Sequence, residues 1–369
     1  MLAHRTLLIK RPLRTFTNEE REALVKVLTR ADALGNLWAR GFEVWPIGLD
    51  SRFADKFNYF KSELRLVNVK RWLARVHAIF NVGVRLDNER DKGQGVFIDL
   101  TRNILKLRGI TKGKAIVIHL TLSEARYIRD RLGEGGRPKL ARAWVDDEHL
   151  FIAITFERDA EQITPSNYRL VIDVNSWKNG IVYAIVKDST RNPRPVRLRP
   201  DIGYVERLYN HVTKLERKYG ALRRLGLHKT PYGRRLWREI KATKRRLYAY
   251  LRDYAQKAVS ILVKQALNLR AKVIIDDMIE ESRRELMEEK PLNGLAKVYM
   301  LYLRRFVKLL TNQLRWYGIP YEFKRLPSTT CPICGSELTQ LPGRIMICSK
   351  CGFKADRDLV PILWAIKQP

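Results

Sequence analysis

Two Cys-x-x-Cys pairs constrain this 369-residue chain more than any other feature, because they tie four side chains to one point whatever the rest of the fold does. Cys331 and Cys334, then Cys348 and Cys351, are the only cysteines present. A two-residue gap lets both thiolates of one knuckle reach the same ion. The stretch between Cys334 and Cys348 suits a hairpin that brings the second pair round to close a tetrahedron. Gly335 and Gly352 follow the pairs, where a tight knuckle needs positive φ. Two disulfides are the competing arrangement, but they need an oxidising compartment, and MLAHRTLLIKRPLR lacks the long apolar core of a secretory signal. The spacing therefore predicts a zinc ribbon over 329–354, with Zn2+ in a structural role.

A ribbon braces many kinds of protein, so charge has to narrow the field. Lys and Arg total 71 against 39 Asp and Glu, a net charge of +32 spread along most of the chain. That excess fits a polyanion partner. No apolar run approaches the length of a membrane span, which leaves nucleic acid ahead of a membrane surface.

Taken in order, Thr6–Ile9 reads as a strand and Thr17-Asn18-Glu19-Glu20 as a capped helix start. Leu24, Val27, Leu28, Ala31 and Leu34, then Phe60, Leu64, Val67, Trp72, Val76 and Phe80, recur at helical spacing, so 20–92 reads as a helical module with basic surfaces. Short branched runs at 96–100, 104–107, 115–120 and 150–156 predict a small antiparallel β-barrel, 1–19 with 93–165, into which that module is inserted. Beyond it, Tyr168–Asn175, Ile181–Val186 and Val196–Leu198 read as a three-strand meander. A helical hairpin follows, with Leu208 to Leu222 in one arm, HKTPYG at the turn and Leu236 to Leu262 in the other. Its second arm carries Arg234, Arg235, Arg238, Lys241, Lys244, Arg245 and Arg246, relieved by the single acid Glu239. Like charges at i,i+4 repel along a helix, and a phosphate backbone along that face would relieve them. Tyr232, Trp237 and Tyr248 offer rings for base stacking or for ordinary packing.

The acids then fall at element ends. Asp173 lies inside the apolar strand YRLVIDVN, Asp276 and Asp277 close the strand KVII, and Asp356 and Asp358 stand just ahead of the apolar run LVPILWAI. A carboxylate in an apolar strand is expensive unless a cation meets it. A meander, a helical crossover, a parallel strand ending in acid and a final acidic helix start form the layout of an RNase H-like fold. Carboxylates from separate elements there hold two divalent ions roughly 4 Å apart for phosphodiester hydrolysis, and Mg2+ or Mn2+ suits all-oxygen ligation.

On STTCPICG with CSKCGFKADRD, VIDVNSWKNGIVYAIV and VIIDDM, the chain resembles the TnpB family, RNA-guided endonucleases of insertion sequences related to the compact type V CRISPR effectors. The resemblance implies an α/β multidomain protein. A wedge-like barrel (1–19 and 93–165) would hold a recognition module (20–92), and a RuvC nuclease (166–328 and 355–369) would hold the ribbon (329–354). It places the catalytic acids on Asp173, Asp276 and Asp358 and implies guide RNA and double-stranded target DNA as partners; Asp356 and Asp277 are the fallback ligands if the register is off by a turn. It further implies Mg2+- or Mn2+-dependent DNA cleavage in the cytoplasm of a prokaryote, on the nucleoid when on target. The alternative is an RNA-guided DNA-binding protein of weakened or lost nuclease activity. Three stretches depart from the family pattern. Asp276-Asp277-Met278 stands where Glu-Asp-Leu is usual, Val360-Pro361-Ile362 where Asn-Ala-Ala is, and Val174-Asn175-Ser176 where a Gly is typical.

Overall fold

The computed structural model describes residues 2–39, 77–85, 93–174, 180–187, 193–277 and 294–367. It divides into two units, 2–159 and 160–369. The amphipathic run from Phe60 to Val76, Asn175-Ser176 and the charged stretch after Met278 lie outside the described residues.

The first unit runs β1 (Leu2–Pro12), α1 (Asn18–Ala39), β2 (Ala78–Phe80), β3 (Val82–Arg85), β4 (Val96–Asp99), β5 (Ile104–Leu107), β6 (Ile116–His119), α2 (Leu122–Gly133), β7 (Arg137–Val145) and β8 (His149–Asp159). Two four-stranded sheets result, ordered β1-β8-β7-β2 and β3-β4-β5-β6. Both helices start as reciprocal caps. Thr17 and Glu20 exchange bonds at α1, as the polar cluster there predicts, and Thr121 with Glu124 does so at α2. Phe80 corrects the helical reading of its segment, since Ala78–Phe80 pairs antiparallel with β7. An i,i+4 apolar pair such as Val76 and Phe80 suits a helix, but a run as short as Ala-Ile-Phe is equally a buried strand. The uniformly antiparallel expectation also fails at one place, because β3 runs parallel to β4.

The second unit opens with β9 (Tyr168–Val174), β10 (Ile181–Lys187) and β11 (Val196–Leu198), followed by α3 (Ile202–Arg224), α4 (Pro231–Leu269), β12 (Lys272–Asp276), α5 (Gly294–Trp316) and β13 (Tyr321–Lys324). Its sheet is ordered β11-β10-β9-β12-β13. β9, β10 and β11 are antiparallel, whereas β12 lies parallel to both β9 and β13. The meander, the helical crossover and the parallel strand after it are therefore all present. α4 begins where Thr230 accepts the Gly233 amide and Pro231 takes the first helical position. Just past the end of α5, Gly318 has φ of +68° and the Glu161 carbonyl stands where a Cβ would be, which excludes other residues there. The small three-stranded sheet β14 (Thr339–Leu341), β15 (Ile345–Ile347) and β16 (Lys354–Asp356) precedes the last helix, α6 (Val360–Lys367).

Strand alternation sorts the main sheet into two cores. Leu170, Ile172, Val273 and Ile275 join Leu251, Val259, Leu262, Phe306 and Leu310 of the helices on one face. Val171, Val182, Ala184 and Ile274 meet Ile362 and Ala365 of α6 on the other. Each such aliphatic side chain contributes roughly 1.5–3 kcal/mol on burial, so the sheet is fixed from both sides.

Candidate functional site

The same alternation that builds these cores aims the acids. Asp173 follows Val171 by two residues and Asp276 follows Ile274 by two, so both project on the face that α6 covers. The parallel register pairs Ile172 with Ile275, and one step further sets Asp276 beside Asp173. Asp358 enters from the turn between β16 and α6, immediately ahead of the residues packed on that face. It is a loop residue rather than the helix N-cap, and its side chain is spent on other partners. All three carboxylates are at most 2% exposed.

Their electrostatics differ from those of an acid buried for structure alone. Asp99, also 2% exposed, sits at the end of β4 and accepts bonds from the Thr101 amide and hydroxyl and the Arg102 amide. Burial pushes its pKa up, yet those bonds and Arg85 hold it below the usual value. Asp173 goes the other way. Burial first, then the charges of Asp276 and Asp358, push it well above 3.8, with Arg344 and Arg357 pulling against them. Asp173 is thus a desolvated carboxylate set beside two others, an arrangement that favours a bound cation. Oxygen-only donors from three separate elements fit a hard divalent cation such as Mg2+ or Mn2+.

Asp276 and Asp358 are also oriented by direct bonds. Asp276 Oδ1 accepts the Leu326 amide at 2.9 Å, which ties β12 to the segment leading into the ribbon. Its neighbour Asp277 is exposed, unlike the three buried acids. Asp356 lies at the rim, 37% exposed, and its Oδ1 accepts the Asp358 amide at 2.8 Å. Asp358 Oδ1 takes a short bond from Arg344 Nη2, and its Oδ2 takes Arg197 at 2.9 and 3.1 Å. Neither arginine stands out in the sequence. Arg344 has one local signal, because it follows Gly343 in the ribbon's hairpin and itself adopts φ of +63°, an unfavourable conformation for a side chain. Arg197, 161 residues from Asp358, has none.

The four cysteines converge as their spacing requires. All four Sγ atoms lie within 4.8 Å of one another, with Cys331 and Cys351 at 3.5 Å and Cys334 and Cys348 at 3.4 Å. None is in a disulfide. A zinc tetrahedron with Zn–S of about 2.3 Å has edges of roughly 3.8 Å, so the donor set fits a metal such as zinc. Gly335 and Gly352, at φ of +73° and +72°, return their amides to the carbonyls of Cys331 and Cys348. The Ser336 hydroxyl and amide draw the Cys334 thiol down to about 6, towards the thiolate a metal needs. Cys331 and Cys348 share a small core with Leu338, Met346 and Val360, so the ribbon and the first turn of α6 are one packed piece.

On α4, Gly233, Leu236, Ile240, Thr243 and Leu247 face inwards at helical spacing. Arg234, Arg235, Arg238, Lys241, Arg245 and Arg246 are exposed between them. Lys244 is the exception, half-buried against Glu216 of α3 at 2.6 Å. Glu239, the one acid of the stripe, pairs with His211 at 3.2 Å. Trp237 stacks on Tyr219 with ring centroids 5.1 Å apart, and the Lys241 ammonium lies 5.4 Å from the Trp237 centroid. Among the described residues no helix is long and apolar enough to cross a membrane.

Comparison with known proteins supplies the context. Residues 304–361, from within α5 to the start of α6, match the family described as Cas12f1-like, TNB domain. The TnpB-like protein MJ0751 of Methanocaldococcus jannaschii is 21% identical over 250 residues, covering 67% of this chain and 84% of that one. MJ0856.1 of the same organism, a candidate transposase, is 36% identical over 77 residues, or 18% of this chain and 70% of that protein. Among solved structures, Cas12f1 in the Cas12f1-sgRNA-target DNA complex is 13% identical with a TM-score of 0.41, over 79% of this chain and 59% of that chain. CasPhi-2 (Cas12j) bound to crRNA is 11% identical with a TM-score of 0.33, over 78% and 72%. The chain thus spans less than two thirds of the Cas12f1 chain it matches.

Proposed function

This chain is a TnpB-like protein related to the type V effectors, and on that premise we propose that it is an RNA-guided DNA endonuclease whose RNase H-like (RuvC) unit cuts phosphodiesters at Asp173, Asp276 and Asp358. The observation that carries the reading is the convergence of three buried, mutually repelling carboxylates on the α6 face of one sheet. Divalent ions held there would supply an activated water and charge stabilisation at the leaving oxygen. The chain's own contribution is placement. β9 and β12 fix the first two acids in register, the Leu326 amide orients Asp276, and the ribbon and α6 set the turn of Asp358. Guide RNA and double-stranded target DNA are the partners this reading requires, and the wedge-like barrel and the module at 20–92 would help to hold them.

The test is to purify the protein with RNA transcribed from its own locus, sequence that RNA, and challenge the complex with a library of matched targets in Mg2+ or Mn2+. Cutting adjacent to one short DNA motif is the expected result. A second reading, guided binding without cutting, has one observation in its favour: two guanidiniums already engage Asp358. Tight guided binding by the wild type with every target left intact would establish it.

Two further outcomes follow from the same reading. The ribbon is expected to hold about one zinc per chain. Cys348→Ser should lower that content and, because Val360 belongs to the same core, loosen the Asp358 turn as well. Elemental analysis with limited proteolysis near residue 358 checks both, and zinc-free protein with an intact fold would refute the assignment. The exposed stripe of α4 is expected to lie along a nucleic-acid backbone. Neutralising Arg234, Arg235 and Arg238 together should weaken binding to unrelated sequences alike. It should also flatten the salt dependence by up to about 0.9 for each phosphate that is no longer neutralised. An unchanged salt slope would remove the stripe from the interface.

A further inference from the structure

β11 is the short edge strand of the main sheet, and its middle residue, Arg197, reaches two acids at once. Its Nη2 lies 2.8 Å from Asp356 Oδ2 and 2.9 Å from Asp358 Oδ2, and its Nε donates to the same Asp358 oxygen at 3.1 Å. The two acids are unlike. The Asp358 side chain is 2% exposed, whereas that of Asp356 is 37% and that of Arg197 is 44% exposed. One guanidinium therefore spans a buried carboxylate inside the cluster and a wet one at its rim.

The oxygens of Asp358 are shared out between two cations, with Arg344 on Oδ1 and Arg197 on Oδ2. An incoming divalent ion needs an Asp358 oxygen, so it competes with these guanidiniums for the same carboxylate in charge and in space. Arg197 has the easier retreat: it is partly in water already, and it keeps a charge-assisted bond to Asp356 after releasing Asp358. We propose that Arg197 is a displaceable counter-ion that occupies Asp358 while no divalent cation is bound and withdraws onto Asp356 when one enters. The inference rests on reading the three acids as a divalent-cation site. It adds that the site is guarded: the apparent metal affinity is the intrinsic one reduced by the fraction of chains in which Arg197 has let go. A guanidinium is a weaker competitor than a divalent ion for a carboxylate that stands beside the charge of Asp173, which favours exchange over exclusion.

A bracing role for Arg197 predicts the opposite of a competing one, and metal affinity separates them without reference to cutting. Mn2+ binding is followed by the loss of the free-ion EPR signal, on zinc-loaded wild type, Arg197→Gln, Arg197→Lys and Asp173→Asn. Arg197→Gln should bind Mn2+ about tenfold more tightly than wild type, and Arg197→Lys, which keeps a charge but not the fork that bridges both acids, about two- to fivefold more tightly. Equal or weaker binding by either variant overturns the proposal and makes Arg197 a brace. Each comparison with wild type stands alone should the other variant fail to fold. Asp173→Asn tests the underlying reading separately: if it binds Mn2+ as well as wild type does, the acids are not the metal site, whatever Arg197 does.

Discussion

Asp173→Ala and Asp358→Ala are each expected to reduce guided cutting by on the order of a thousandfold or more while leaving guided binding in place. The two effects separate because the acids are buried on the α6 face of the sheet, whereas the exposed basic stripe that would hold a nucleic-acid backbone belongs to α4. On the proposed reading, removing either carboxylate takes away an oxygen ligand that neither Asp356 nor Asp277 is placed to replace. Asp356 is paired with Arg197 at the rim, and Asp277 is exposed to solvent. Asp276→Glu is the informative companion. The extra methylene brings reach, but it also displaces a carboxylate held by the Leu326 amide in a site that is 2% exposed, and overpacking typically costs about 1–3 kcal/mol. It is expected to cut more slowly than wild type. Faster cutting would show that the shorter side chain had weakened the nuclease. Retention of cutting by Asp173→Ala would remove the catalytic assignment altogether.

The second large effect is on stability, and it has the opposite sign. Asp173→Asn should raise the melting temperature of chelator-treated protein near neutral pH. Asp173 is an acid whose pKa is raised in the folded state, chiefly by burial and then by Asp276 and Asp358. Between its unfolded value, near 3.8, and its raised folded value, the native state binds more protons than the unfolded one, so stability falls as pH rises through that window. Above the window the full penalty persists, and asparagine does not carry it. Each kcal/mol recovered is worth about 2–4 °C in a protein unit of this size. Saturating Mn2+ should reverse the order, because the wild type gains from a ligand that binds only the folded state and the variant does not. Thermal melts at pH 5 and pH 8, with chelator and with Mn2+, check all of this. A variant no more stable than wild type at pH 8 in chelator would mean that the Asp173 charge is already compensated.

What can be read from the sequence is what spacing records. The Cys-x-x-Cys pairs, the seams of α3 and α4 and the acids at the ends of their elements all announce themselves within a few residues, and the structure places them as those spacings imply. The Thr121–Glu124 cap is a local signal of the same kind, although the barrel reading of that region has no place for the α2 it opens. β7 is harder. Its segment RPKLARAWV is thin in branched residues and owes its strand state to pairing between β2 and β8. Ion pairs are harder still. Nothing near Arg197 says that it meets Asp358, and nothing near Lys244 says that Glu216 will claim it rather than a phosphate. Such pairs belong to the folded arrangement, where position along the chain carries no trace of them.

The parallel pairing of β9 with β12 also governs the order in which the chain can acquire its properties. The two strands are separated in sequence by the whole α3–α4 hairpin, and such non-local pairing is slow because the loop must close before any favourable pairing rewards it. The ribbon is local: its knuckles are 13 residues apart in sequence, one ahead of β14 and the other between β15 and β16, so they can close around a metal early. A newly made chain would therefore carry its ribbon metal well before Asp173, Asp276 and Asp358 share one face. If the chain is the guided nuclease proposed above, during that interval it would be a basic polymer whose cutting site is not yet assembled, and the same would hold for any misfolded copy in which β9, β12 or the Asp358 turn had slipped out of place.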